Sequence, residues 1–217
     1  MQKIEATVRV LETMAVNQPL NLYRLEKLAG LSHATAHKAL RKLLKDGFVA
    51  KVKAEKFRTG LETATYTLTP RGLLFALQFR PVLWQQIDKV AENHKDAFLV
   101  FKKWHVWERE KCKGEIVASM RHQLEYLAKL EMVWLAFWRR PPEVDFVKIN
   151  GAFLGLHLLG FEREKWEPKI DYTLIWKACK KDKELSGFVE EMLEREAKLY
   201  EDMARKARER MQVWANL

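Results

Sequence analysis

Residues 29–49 decide the predicted fold: Ala-Gly-Leu-Ser-His-Ala-Thr-Ala-His-Lys-Ala-Leu-Arg-Lys-Leu-Leu-Lys-Asp-Gly-Phe-Val. Gly30 suits a turn that needs a positive φ, because a residue without Cβ adopts that conformation at little cost. Ser32 is placed to cap the next helix by accepting a backbone N–H bond. Asp46-Gly47 ends that helix, and Phe48-Val49 begins an extended segment. The stretch therefore predicts a tight turn, a capped helix over about 33–45, and the start of a strand.

The predicted helix has two unlike faces. Ala36, Leu40 and Leu43 recur at helical spacing and mark its buried stripe. The opposite face carries hydrogen-bonding or cationic side chains: Ser32, His33, Thr35, His37, Lys38, Arg41 and Lys42. A short helix with such a face has the shape that enters a DNA major groove. We interpret it as the second helix of a helix-turn-helix.

Two helices are predicted before this one and a hairpin after it. The expected buried positions are Ile4, Val8, Leu11 and Ala15 in a helix over 2–16, and Leu22, Leu25 and Leu28 in a helix that Asn21 caps. The basic strand that starts at Phe48 leads to a predicted wing tip over Ala54–Glu62, and a strand returns over 63–68. Thr69-Pro70 supplies an N-cap and a first-turn proline for a helix over 71–80. The cationic residues predicted on the wing are Lys53, Lys56 and Arg58.

Three segments resemble the MarR-like and PadR-like prokaryotic regulators, and archaeal members most of all: Leu-Ala-Gly-Leu-Ser-His-Ala-Thr (28–35), Leu-Leu-Lys-Asp-Gly-Phe-Val (43–49) and Tyr-Thr-Leu-Thr-Pro-Arg-Gly (66–72). The resemblance covers about residues 1–80 and implies a winged helix-turn-helix with three helices and a two-stranded wing. It also implies a homodimer on a palindromic operator. In such regulators the recognition helix contacts bases, and the wing contacts the backbone or the minor groove.

Positive charge is concentrated in the first 80 residues. The chain of 217 residues has a net charge of +10. Residues 1–80 contain 14 Lys or Arg against 6 Asp or Glu, a net of +8, whereas residues 81–217 contain 25 against 23, a net of +2. A solubilising surface is one explanation. A polyanionic partner is the better one, because the excess coincides with the predicted reading helix.

Residues 81–217 predict an all-α domain. The expected helices cover about 82–90, a segment capped by Asp96, 115–138, 144–159 with Gly160 as its terminating residue, Pro168–Cys179 and 186–214. A strand over 144–149 is the alternative for the start of the fourth of these segments. Leu193, Tyr200, Ala207 and Trp214 recur every seven residues in the last helix. This stripe is expected either to pair with a second copy of the chain or to pack within one subunit.

All eight tryptophans follow residue 80: Trp84, Trp104, Trp107, Trp134, Trp138, Trp166, Trp176 and Trp214. Large aromatic residues most simply fill the core and the subunit interface of a helical domain. The alternative is a pocket for a small hydrophobic effector. His157, in an apolar run, is expected to be a hydrogen-bonded core residue.

The motifs of common enzyme classes are missing from the sequence, which has no GxSxG, P-loop, GxGxxG or HExxH. His33 and His37 have the spacing of a metal pair, but no nearby Cys, Asp or Glu is expected to complete a site, and we predict no cofactor. Cys112 and Cys179 lack metal-ligand spacing and are expected to be reduced thiols in a cytoplasmic protein. The charged N-terminus is unlike a signal peptide, and the apolar stretches are too short to span a membrane.

The sequence thus predicts a mainly α protein with a DNA-binding domain over 1–80 and a helical dimerisation domain over 81–217 that could also sense an effector. The expected function is sequence-specific regulation of transcription on double-stranded DNA. Two alternatives stay open, a protein-interaction scaffold and a non-specific architectural DNA-binding protein.

Overall fold

The structure, a computed structural model, describes residues 2–56, 62–129, 146–156 and 170–215, with side chains except at 2–4, 53–56, 62–63, 126–129, 213 and 215. It is mainly helical, with a three-stranded antiparallel sheet. The elements are α1 (Gln2–Val16), β1 (Leu20–Asn21), α2 (Leu22–Ala29), α3 (His33–Lys45), β2 (Val49–Lys56), β3 (Glu62–Leu68), α4 (Pro70–Phe79), a 3₁₀ helix (Pro81–Gln86), α5 (Ile87–Asn93), α6 (Leu99–Lys102), α7 (Trp104–Arg109), α8 (Lys113–Lys129), α9 (Phe146–Phe153), α10 (Tyr172–Cys179) and α11 (Lys183–Ala215).

The chain divides into two compact units. The first is Met1–Trp104 with Leu127–Val144, and the second is His105–Tyr126 with Asp145–Leu217. The first unit therefore extends beyond residue 80, where the sequence placed the end of a domain. Arg80 itself forms an ion pair with Glu12 of α1.

The first three helices begin and end at the predicted residues, and the starts of α2 and α3 are set by local caps. Asn21 Oδ1 accepts a hydrogen bond from the Arg24 N–H at 2.8 Å, and Ser32 Oγ accepts one from the Thr35 N–H at 3.4 Å. Gly30 ends α2 with a φ of +63°, in the left-handed region that favours glycine. Three of the predicted buried positions are not buried: Leu28 is 53% exposed, and Val8 and Leu22 are half-buried. The side chain of Ile4 lies outside the described residues. The buried positions of α2 are Leu25 and Ala29.

The sheet has the strand order β1-β3-β2. The predicted hairpin forms between β2 and β3, from the pair Val49–Leu68 to the pair Lys56–Glu62. The strands are longer than expected, so Ala54–Lys56 and Glu62 lie in strands and not in the wing tip. The third strand, β1, was not predicted, because only its pairing with Tyr66 and Thr65 of β3 defines two residues as a strand.

The start of α4 packs against the backbone at Phe48. Thr69 caps the helix by accepting a hydrogen bond from the Gly72 N–H at 3.0 Å, and the Thr69 N–H donates to Phe48 O at 3.0 Å. A Cβ at Gly72 would lie 2.0 Å from Phe48 O. Only glycine fits this contact without a backbone shift.

We predict that Gly72→Ala lowers the free energy of unfolding by about 2 kcal/mol or more, since a new methyl group would overlap the Phe48 carbonyl. The matched control is Gly187→Ala in α11, where a Cβ meets nothing within 4 Å. The control should raise stability by up to about 1 kcal/mol through helix propensity. Urea unfolding followed by circular dichroism measures both. Equal effects of the two substitutions on stability would contradict a close contact between Gly72 and the Phe48 carbonyl.

The Gln18 side chain joins α1, β3 and α5. Its Nε2 donates to Asn93 O at 3.0 Å and lies 2.8 Å from His94 Nδ1, while its Oε1 accepts from the Leu68 N–H at 3.0 Å. His94 Nε2 lies 3.0 Å from Ala15 O. Because Gln18 Nε2 can only donate, Nδ1 accepts, and Nε2 carries the proton that bonds Ala15. His94 is therefore held neutral.

Folding stability should fall as the pH drops, because burial lowers the pKa of His94 from 6.5 to about 4. The unfolded chain binds a proton near pH 6.5, and the folded chain does so only near pH 4. The contribution of neutral His94 to the free energy of unfolding is complete above pH 6.5. It decreases by about 3 kcal/mol as the pH falls from 6.5 to 4, and it is lost below pH 4.

Urea unfolding at pH 7 and pH 4.5 tests this prediction. His94→Gln should be less stable at pH 7 and should lose much of the pH dependence in this window. His105→Gln, at an exposed histidine, should behave like the wild type. An unchanged pH dependence in His94→Gln would refute the assignment.

Several element boundaries after residue 95 differ from the predictions. Asp96 caps no helix; α6 begins after Phe98, without a side-chain cap. The helix predicted over 144–159 is α9, which ends at Phe153 and is followed by Gly155 at a φ of +76°. Asp171 caps α10 by accepting from the Thr173 N–H at 2.9 Å, so this helix does not begin at Pro168. Gly160 and Pro168 lie outside the described residues.

The core of the second unit contains one face of α8. Ile116, Met120 and Leu124 are buried, and Ser119 Oγ donates to Phe153 O at 2.7 Å. Two buried free thiols, Cys112 and Cys179, belong to this unit. Burial raises the pKa of Cys179 to about 12, so its thiol is protonated and unreactive at neutral pH.

Candidate nucleic-acid interface

Helix α3 is fixed in place by its apolar face. Ala36, Leu40 and Leu43 are buried as predicted, together with Ala39. This face contacts α1 and α2, and the C-terminal end of α3 leads directly into β2. The opposite face points to solvent because the first unit leaves it uncovered.

The residues predicted to contact DNA are all exposed on this solvent side. We call Ser32, His33, Thr35, His37, Lys38, Arg41 and Lys42 the α3 face. The helix has 13 residues and is about 20 Å long, with a diameter of about 10–12 Å including side chains. A major groove about 12 Å wide accepts a helix of this size.

The N-terminal part of the α3 face is held by local hydrogen bonds. Ser32 Oγ and Thr35 Oγ1 are 2.8 Å apart, and His33 Nδ1 lies 2.6 Å from Glu26 Oε1. The rings of His33 and His37 are parallel, with centroids 6.2 Å apart. These contacts orient the donors of the first helical turns. They also leave the His37 ring as the more available hydrogen-bonding group of the pair.

The cations farther along α3 have uncompensated charge. Within 2–56, 62–129, 146–156 and 170–215, no carboxylate lies within ion-pair distance of Lys38, Arg41 or Lys42. Their side chains are free to meet an external anion. This separates them from the cations of α11, where Arg195 and Arg205 form ion pairs within the helix.

The structure adds cations that the sequence analysis did not assign to the site. Lys45 is exposed on the last turn of α3, and Lys51 is exposed on β2. The alternation of apolar and basic residues in β2 is the sequence signal that includes Lys51. Arg24 and Lys27 are exposed on α2, the helix that crosses the DNA backbone in helix-turn-helix proteins.

The predicted wing residues are only partly described. Lys53 and Lys56 lie in β2, where Lys53 pairs with Thr65 and Lys56 with Glu62. The ladder shifts its register between Lys51 and Lys53. The side chains of Lys53 and Lys56, and the whole of Arg58, lie outside the described residues. Their predicted contacts with DNA stay predictions.

Arg71 fixes the junction between α3 and β2. Its guanidinium lies 4.7 Å from the centre of the Phe48 ring, and Nη1 donates to Asp46 O at 3.2 Å. Burial lowers the pKa of Arg71, and the Asp46 charge partly offsets this effect. An arginine so placed supports the end of α3 rather than extending its cationic face.

The described histidines and tryptophans outside α3 have structural contacts or at least partly exposed positions, and they form no group of metal-ligating side chains. The sequence around His33 contains no nearby acidic residue, but the fold brings Glu26 there from α2. Even so, the described ranges contain no group of three metal-ligating side chains.

Three of the described tryptophans have structural roles. Trp107 is buried in the core, whereas Trp104 donates to Asp88 Oδ1 and Trp176 donates to Leu154 O. Three tryptophans lie outside the description with His157: Trp134, Trp138 and Trp166. The hydrophobic effector stays a prediction.

Comparison with known families, with curated proteins and with solved structures found no match for this chain. The resemblance to MarR-like and PadR-like regulators therefore stays a prediction. Among the helices that the structure describes, none combines the length and apolar composition that crossing a membrane requires.

We predict that Arg41→Ala weakens binding to the preferred duplex at least tenfold without unfolding the protein, because an exposed guanidinium is removed from the centre of the α3 face. Arg121→Ala, an exposed arginine on α8, is the matched control and should bind like the wild type. Gel-shift titrations at moderate salt compare them. Unchanged affinity of Arg41→Ala would remove this residue from the interface.

Proposed function

We propose that this protein is a sequence-specific, double-stranded DNA-binding regulator of transcription that acts as a homodimer in the cytoplasm. In this proposal the first unit is a winged helix-turn-helix. Helix α3 enters the major groove, and the β2–β3 hairpin forms the wing on the backbone or in the minor groove. The observation that carries the proposal is the exposed α3 face, whose lysines and arginine lack acidic partners in the described residues.

Electrostatics favour a polyanion as the partner. The cations of α3 and Lys51 follow one another along the chain from the reading helix into the first wing strand. Each cation that neutralises a phosphate releases condensed counterions. Lys and Arg also bond guanine O6 and N7, and imidazole and hydroxyl groups bond base edges. One surface thus supplies affinity through its charge and discrimination through its donors.

The proposed regulator needs two copies of the chain to contact enough base pairs for sequence-specific binding. A single short helix reaches only a few base pairs, with about 1–3 kcal/mol of discrimination for each good bidentate contact. A homodimer would place two α3 helices about 34 Å apart, one turn of DNA. The expected operator is therefore palindromic.

Selection from random duplex DNA, followed by titration against the selected and scrambled duplexes at two salt concentrations, tests the proposal. A palindromic consensus and preferential binding would support it. Affinity that follows charge and ignores sequence would contradict it in favour of an architectural protein. No binding to any duplex would contradict it in favour of a protein-interaction scaffold.

We expect Lys51→Gln to weaken binding by a similar factor for selected and scrambled duplexes, since a wing lysine is assigned to phosphate and not to a base. The slope of log K against log salt should become shallower by about 0.9 for each phosphate that the variant no longer neutralises. Lys180→Gln on the second unit, at another exposed lysine, is the control. Weaker binding to the selected duplex alone would instead place Lys51 against a base.

A further inference from the structure

Among the described side chains of α11, none after Met192 is buried. The helix runs over Lys183–Ala215, and its first turns are packed, with Leu185 and Met192 buried. From Ala197 to Gln212 every residue is exposed. A solvated helix of this kind would be expected to be polar all round. Instead, Met211 and Trp214 are 70% and 79% exposed.

Most of the exposed apolar residues of α11 recur at heptad spacing, while Leu199 and Met203 lie beside this repeat. With Leu193 at a heptad d position, the d positions continue as Tyr200, Ala207 and Trp214, and the a positions after Leu193 are apolar as well. We call Leu193, Ala197, Tyr200, Ala204, Ala207, Met211 and Trp214 the α11 seam. It covers 22 residues, about 33 Å of helix and three heptads. An a/d repeat of this length is typical of a helix that pairs with another helix.

We propose that the α11 seam pairs with the α11 seam of a second copy, with the two helices antiparallel and centred at the level of residue 202. In this register Leu193 faces Met211 of the second copy, Ala197 faces Ala207, and Tyr200 faces Ala204. The six seam residues from Leu193 to Met211 then meet apolar partners, whereas Trp214 lies beyond this paired stretch, at the level of Glu190 of the second copy. The large Tyr200 side chain lies against a small one, as interdigitating layers require.

Charge complementarity selects the antiparallel direction. The charged residues flanking the seam are acidic in the first half of the exposed helix and basic in the second, with the uncharged Met203 between them. They are Glu194, Glu196 and Glu201, followed by Arg208 and Arg210. In the antiparallel pair Glu194 faces Arg208 and Glu196 faces Arg210 of the second copy, each twice by symmetry. One like-charge contact remains, between the two copies of Glu201.

The parallel alternative is electrostatically worse. In a parallel pair, a g position faces the e position of the next heptad. Glu196 would then face Glu201 of the second copy, twice, and the arginines would face no acid. Within the described residues, Glu194 and Arg208 take part in no ion pair of their own chain, so both are available between subunits.

This inference rests on the homodimer in the proposed function, but it does not depend on DNA binding. Light scattering of the full chain should give twice the chain mass of 25.6 kDa. Leu193→Lys and Met211→Lys should each weaken dimerisation more than tenfold while keeping the helical circular dichroism. Lys198→Glu, on the opposite side of α11, should stay dimeric. A monomeric wild type, or dimerisation unaffected by both seam substitutions, would overturn the proposal.

Cysteine pairing tests the direction and the register. Ala197→Cys and Ala207→Cys, mixed under mild oxidation, should cross-link to each other, whereas neither should cross-link efficiently to itself. A parallel pair would give the reverse result and overturn the proposal. The native cysteines are buried, and the wild type provides the background.

A charge exchange provides an independent check on folded protein. Glu194→Arg and Arg208→Glu should each weaken the dimer, and their combination should restore it. Absence of restoration would contradict the register. Duplex binding by the wild type is measured separately, so a failed register and a failed DNA-binding assignment give different results.

Discussion

The side chain of Gln18 is the constraint on which the first unit depends. A single amide satisfies the backbone of β3 at Leu68, the backbone of α5 at Asn93 and the ring of His94. Low solvent access makes such bonds costly to lose, because each partner would be left buried without a replacement. Hydrogen bonds of Gln18 and His94 thus connect the sheet, the end of α1 and the segment after residue 80. Because α3 packs on α1, its support extends beyond the two helices that it contacts directly.

The α3 face exists because packing and charge are separated on one short helix. Ala36, Leu40 and Leu43 bind the helix to the unit, so its orientation needs no polar contact. Arg71, which covers Phe48, stabilises the exit from α3 without facing outward. The cations on the solvent side contribute nothing visible to the fold within the described residues. Their presence is explained by an external anion better than by stability, since isolated surface charges add little to folding.

Local chemistry made part of this structure predictable. The caps of Asn21, Ser32 and Thr69 act within three residues of themselves, so sequence spacing was enough to place three helix starts. Burial was predictable where the helical period was strong, as at Leu40 and Leu43. Predictions failed where distant segments decided the outcome. Leu28 fits the apolar pattern of α2 but is left exposed, and β1 is a strand only because β3 lies beside it. Of the candidate site, residue type and exposure on α3 were predictable, but the contact between Glu26 and His33 required the turn between helices.

By itself, the sequence determined the succession of helices and hairpin in the first 80 residues, the cationic side of α3 and the heptad repeat of α11. These properties follow from backbone geometry and from the spacing of side chains a few residues apart. The tertiary structure alone decided that residues 81–104 complete the first unit, that His94 is buried and neutral, and that the α11 seam is uncovered. Burial depends on which surfaces meet across long stretches of chain. The spacing of neighbouring residues therefore does not predict which surfaces are buried by distant segments.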